Sequence, residues 1–164
     1  MNSKPWVRQV EPSRVPLKQI ETPEIAAFVA YWESLKGSRF APSWEDFRLV
    51  DLPADVISRI VVVDVLRDPL DFLVRFWGTG HVDRKGIDKT GKKVSETRDQ
   101  RGWRVYDEYA WVVRERKPLA SVDTVDLRDY NELLPFTQRV VRLPLSSDGE
   151  TVDKVVSLAE WDKV

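Results

Sequence analysis

The chain has no cysteine and one histidine. The first absence removes disulfides, iron–sulfur clusters, thiolate zinc sites and cysteine nucleophiles together. The scarcity of histidine thins out what remains: a transition-metal site would need mainly carboxylates, a poor donor set for zinc or iron, and any Ser-His-Asp arrangement would have to use His81. Neither G-x-S-x-G nor G-x-x-x-x-G-K-[ST] nor G-x-G-x-x-G occurs, so there is no nucleophile elbow and no glycine-rich phosphate cradle. No apolar run approaches the roughly 18–20 residues that span a bilayer. The opening MNSKPWVRQVEPSRVP holds basic residues but no apolar leader region. Charge of one sign is not in excess either. The 26 Lys and Arg against 27 Asp and Glu give a formal net charge of −1, so no whole-molecule field directs the protein to nucleic acid or an anionic membrane. These absences lead us to expect a cytoplasmic protein with no catalytic set, no metal site, and neither nucleic acid nor membrane as partner.

What is present suits one folded core with extensions: 164 residues, 42% of them hydrophobic, with seven Trp and only seven Gly. Residues 1–21 carry Pro5, Pro12 and Pro16 without periodicity and read as an extended arm. TPEIAAFVAYWESLKG, residues 22–37, reads as a helix: Thr22 caps it, Pro23 suits the first helical position, Glu24 suits its positive end, and Gly37 stops it. Ile25, Phe28, Trp32 and Leu35 then form one apolar stripe that needs a cover. Residues 38–164 make the globular part. After an irregular stretch punctuated by Pro42 and Pro53, IVVVDVL (60–66) is short, β-branched and a near-continuous apolar run, as in a strand buried on both faces. Across the turn RDPL, DFLVRFW (71–77) alternates and completes a hairpin. The pattern lapses from Thr79 to about Gln100. Helical spacing resumes in RGWRVYDEYAWVVRERKP, with Val105, Tyr109 and Val112 on one face and a basic cluster where the helix dipole favours cations. Three strands follow at about 120–127, 136–145 and 152–161, the last two joined through Asp148-Gly149, a hairpin signal.

Tyr31-Trp32 with Leu35 and Gly37, Leu52-Pro53 before the first strand, Gly78-Thr79 after the second, and Gly86-x-Asp88-x-Thr90-Gly91 resemble, in that order and spacing, a bacterial single-domain PAS-like family found mainly in alphaproteobacteria. The resemblance runs from about residue 25 to 161. It implies an α+β, PAS-like five-stranded antiparallel sheet (two strands, helical crossover, three strands) with an added N-terminal helix. It also implies helices over one face, a pocket between the layers, and a sensory or regulatory role. The family supplies no catalytic set to carry over. In this frame the glycines of FWGTGHVDRKGIDKTG mark where the second strand breaks into the crossover, and they are read as giving backbone freedom.

Arg75, Trp77, His81, Trp103, Tyr106, Tyr109 and Trp111 are the candidate pocket-lining residues, because they sit on the second strand, the start of the crossover and the helix that should face the sheet. Those rings either stack on a planar or apolar ligand or fill the core completely, and large side chains leave less room. His81 reads as an ordinary polar histidine at a pocket rim or on the surface; a flavin photoadduct would need the missing cysteine. From Arg84 to Arg104 eight basic residues face three acidic ones, a patch for an acidic partner or a solvated face of the crossover.

The expected function is therefore regulatory and non-catalytic, acting through a protein partner with possible small-molecule control. The runner-up is a module holding a ligand or cofactor of unknown identity, and an enzyme built on paired carboxylates comes last. The stripe Ile25, Phe28, Trp32, Leu35 is the candidate partner face. A homodimer is expected, because the outer face of IVVVDVL needs a cover that either this stripe or a second subunit supplies.

Overall fold

A computed structural model of the chain describes residues 10–97, 102–128 and 134–162. Its elements are the helices α1 (Leu17–Ile20), α2 (Pro23–Lys36) and α3 (Ala54–Ile57), the hairpin β1 (Ile60–Leu66) and β2 (Asp71–Trp77), α4 (Thr79–Lys85), α5 (Gly102–Glu115), and the meander β3 (Leu119–Val125), β4 (Phe136–Leu145) and β5 (Lys154–Trp161). The five strands form one sheet in the order β2-β1-β5-β4-β3, antiparallel throughout. This is the PAS-like arrangement that the sequence predicts, two strands and three split by a helical crossover.

Alternation along the interior strands feeds two separate cores. On one face Ile60, Val62, Val141, Leu143, Val156 and Leu158 meet Ile25, Phe28 and Trp32 of α2. On the other, Val61, Val63, Phe72, Val74 and Val155 meet Tyr106, Tyr109, Trp111 and Val112 of α5. The sheet is thus covered on both faces: α5 lies over one, as the resemblance implies, and of the two covers expected for the outer face of β1, the α2 stripe or a second subunit, it is the stripe that lies there. The apolar first half of β1 is the reason: it sits between β2 and β5 with both of its sides to bury.

The α2 helix begins and ends where its sequence signals fall. Thr22 Oγ1 accepts from Ile25 N (3.3 Å) and donates to Glu160 Oε1 (2.7 Å), so the cap also ties the helix to β5. Trp32 Nε1 donates to Pro144 O (2.8 Å). The stripe assigned to a partner face is therefore filled from within the chain: Ile25, Phe28 and Trp32 are buried, and Leu35 packs against the same cluster. Nor is the arm extended throughout. Val15 N bonds Ala120 O on β3 (3.0 Å), Leu17–Ile20 make one helical turn, and Ile20 is buried.

Between the hairpin and α5 the lapse in pattern hides α4, which Gly86 ends in the left-handed conformation (φ 73°), and a 3-10 turn at Val94–Thr97. The third and fifth strands are shorter than expected, and Leu127, just beyond β3, packs instead with Phe136 and Trp161.

Candidate functional site

A pocket lies between the inner face of the sheet and the crossover. Val61, Val74, Val140, Arg142, Ser157 and Ala159 form its floor. Val105 and Tyr109 of α5 cover it, and Trp77, His81, Lys85, Ile87, Lys89 and Val94 make its walls. Its cavity volume is about 60 Å³, enough to hold more than a single water.

His81 anchors one wall. Its Nε2 donates to the Arg59 carbonyl (2.8 Å), which leaves Nδ1 as the acceptor for the Lys85 ammonium (3.1 Å) one helical turn on. The imidazole lies between two indoles, 4.8 Å from Trp77 and 5.1 Å from Trp161. Burial drives its pKa well below the ordinary histidine value; the cations Lys85, Arg142 and Arg59 push the same way, and the bond to the Arg59 carbonyl only partly opposes them. The neutral form is the one this site holds. Lys85 is itself buried, its Nζ 5.2 Å from the Trp77 ring and 5.9 Å from Trp161, while Lys89 Nζ stands 5.7 Å from Trp77.

The opposite side is fixed by Arg142, which donates from Nε to Glu108 Oε1 (2.8 Å) and from a terminal nitrogen to Ser157 Oγ (3.0 Å), and lies 4.4 Å from the Tyr109 ring. Burial opposes its charge, but Tyr109 and Glu108 more than offset that and raise its pKa. Arg104 approaches Glu108 (3.5 Å) and Asp123 (3.3 Å), which extends the network to β3.

Of the residues expected to line a pocket, the structure brings Trp77, His81 and Tyr109 to it. Arg75 points outward and pairs with Asp64; with Lys154 it holds that carboxyl below the usual range although partial burial pushes the other way. Tyr106 is packed on Phe72 and donates to Leu70 O (2.6 Å), and Trp103 meets Tyr106 edge to face. Trp111 is buried beneath the arm, with the Arg14 guanidinium 4.3 Å from its ring. These three rings fill core. Of the two places expected for His81, a pocket rim or the surface, the second is excluded: it lines the pocket and is 3% exposed. Sequence reasoning missed Lys85, Lys89, Arg142, Gln138 and Ser157. The basic run 84–104 contained the signal for the two lysines. For Arg142 the signal was its two-residue offset from Val140 on a strand with an inner face.

The basic run is partly spent within the molecule, since Arg84 lies 4.3 Å over Phe136 and Arg104 joins the Glu108 network; Arg98 and Arg101 lie outside the described residues. Among the described residues no cluster of three His, Asp or Glu is placed to hold a metal ion, and no helix is long and apolar enough to cross a membrane.

No family model and no curated protein matches the chain. Similar solved structures include a fungal LOV-domain photoreceptor (14% identity, 88% of this chain and 97% of that chain, TM-score 0.48). A light-state structure of the blue-light photoreceptor Aureochrome1 LOV is also similar (14%, 71% and 90%, TM-score 0.47). So is a sensory box sensor histidine kinase from Vibrio cholerae (13%, 68% and 90%, TM-score 0.45).

Proposed function

We propose that the protein is a non-catalytic regulatory domain whose pocket takes a small molecule and whose output is the packing of α2. The observation that carries this reading is the half-enclosed pocket under α4 and α5, where apolar walls converge on a few placed polar groups. Catalysis by paired carboxylates finds no support, since no Asp or Glu is among the described lining residues and Glu108 behind them is bound to Arg142.

A connection from the pocket to α2 supports the output. The carbonyl of Arg59 receives His81, while its guanidinium pairs with Glu24 in the first turn of α2 and donates to Ala159 O (2.9 Å). Ligand contacts on α4 shift Arg59, and Arg59 shifts the population of docked and released α2. Released, the helix offers Ile25, Phe28, Trp32 and Leu35 to a protein partner, or to the uncovered sheet of a second copy. The latter gives a homodimer by helix exchange about Gly37.

Native mass spectrometry of protein purified from its own host tests the first step. A bound small molecule is expected on the parent, and Val105→Trp, which fills the pocket roof, loses it while keeping the parental circular dichroism spectrum. A parent with no bound mass, or a variant that keeps it, would count against the pocket as a ligand site.

A further inference from the structure

On the reading of this pocket as a ligand site, we infer that its ligand presents a carbonyl oxygen to the pocket floor, where the side-chain amide of Gln138 donates to it. Gln138 alternates with Val140 and Arg142 along β4, and all three line the pocket. The residue is 4% exposed, and its Oε1 accepts from Trp161 Nε1 (2.9 Å). An indole N–H can only donate, and this fixes which way round the amide stands: the oxygen faces Trp161, and the NH2 is the end left for the pocket. Turning the amide over would set two donors against each other. Among the described residues no acceptor meets Nε2, so the acceptor for this buried donor comes from outside the chain.

The hydroxyls of the pocket point to the same chemistry. Ser157 Oγ accepts from the Arg142 guanidinium (3.0 Å), which turns its own proton elsewhere. The Tyr109 hydroxyl, on a residue 2% exposed, has no hydrogen bond among the described residues and can donate as well. The side-chain acceptors, by contrast, are engaged within the chain: Gln138 Oε1 by Trp161, His81 Nδ1 by Lys85 (3.1 Å), and the Glu108 carboxylate behind the floor by Arg142 (2.8 Å). A ligand that offers only donors would meet donors. One without polar atoms would leave the Gln138 NH2 stripped of water and unpaired, which costs free energy. A carbonyl oxygen, with two lone pairs, takes the amide and a hydroxyl together. A neutral carbonyl suffices, since the groups that select it are uncharged.

The test follows the isotope-labelled full chain by NMR during titration with acetone and with isopropyl chloride, which has a similar shape and is a poor hydrogen-bond acceptor. Acetone should bind at least about fivefold more tightly, although the chloride is the more apolar of the two. One proton of the Gln138 amide, assigned through its contact with the Trp161 indole, should move downfield as acetone saturates, while the exposed Gln19 amide stays in place. In Gln138→Met, which keeps the length of the side chain without the amide, the preference for acetone should shrink to within about twofold. The two measurements on the parent decide the matter if that variant does not fold. Equal binding of the probes, an unmoved Gln138 amide, or a preference that survives Gln138→Met would overturn the carbonyl inference and leave a ligand pocket of another chemistry. If neither probe binds, this inference is overturned and the pocket reading itself is weakened.

Discussion

His81 shows how position alone sets the properties of a side chain. The same imidazole in an unfolded chain titrates near 6.5; packed between Trp77 and Trp161 and facing Lys85, it is held neutral well below that. The unfolded chain therefore takes up a proton that the folded protein refuses, so stability is intact above about pH 6.5 and is lost as the pH falls from there toward the folded value. The expected slope is about 1.4 kcal/mol per pH unit for one proton. Because this is the chain's one histidine, and the displaced carboxylates among the described residues, Asp46, Asp64, Asp88, Asp126 and Asp148, are all moved downward from a range that starts near pH 4, the interval from 6.5 to 5 belongs to His81. Urea unfolding across that interval should show the slope in the parent and a flat profile in His81→Gln. An equal slope in both proteins would mean that the imidazole titrates freely.

At the scale of elements, the α4 segment depends on a contact that few residue types allow. A Cβ on Gly78 would overlap the Ser58 carbonyl, and one on Gly80 would stand 2.8 Å from it. Both glycines sit against the end of α3, where Gly80 N donates to that carbonyl (2.8 Å) and Gly78 N to Ile60 O (2.9 Å). Close approach, not freedom of φ, is what these glycines supply, since Gly78 has φ −58°. Gly78→Ala should destabilise by about 1–3 kcal/mol through overpacking, read as a shift in the urea midpoint; a change within about 0.5 kcal/mol would show that α3 yields freely. The same contact explains why α4 was illegible in the sequence while α2 was not. The capping by Thr22, the stripe of α2 and its glycine stop are local signals, and so are the β-branched run of β1 and the alternation of β2. The α4 helix has seven residues and a glycine within them, and it is held by what it docks on. With α4 unread, the one-turn spacing of His81 and Lys85 carried no meaning. Arg142 was hidden differently: an arginine on a strand is read as pointing to water by default, and its step with Val140 marks it as inward only once the face that Val140 takes is known, where it meets Ser157 across the β4–β5 pair.

For the whole molecule, the two cores make α2 the natural moving part. Its stripe covers one face of the sheet without helping to build the pocket on the other, so it can leave without emptying the site. Burial of Ile25, Phe28 and Trp32 at about 1.5–3 kcal/mol each makes the released state a minor one, and small changes in its ties therefore change its population by large factors. Arg59 supplies the tie that also touches the pocket. Its bond to the half-exposed Glu24 is worth about 1 kcal/mol, so Arg59→Met, which keeps the aliphatic bulk, should speed amide exchange in α2 about fivefold while exchange at the centre of β4 and β5 stays as in the parent. If release exposes the sheet to a second copy, light scattering at high concentration should show more dimer in Arg59→Met than in the parent, and truncation of Phe28 to Ala in the same background should reverse the gain by weakening the exchanged contact. Faster exchange without more dimer would leave α2 as the moving part but assign its stripe to a different protein. Parental exchange in α2 would show that Arg59 does not couple the pocket to the helix.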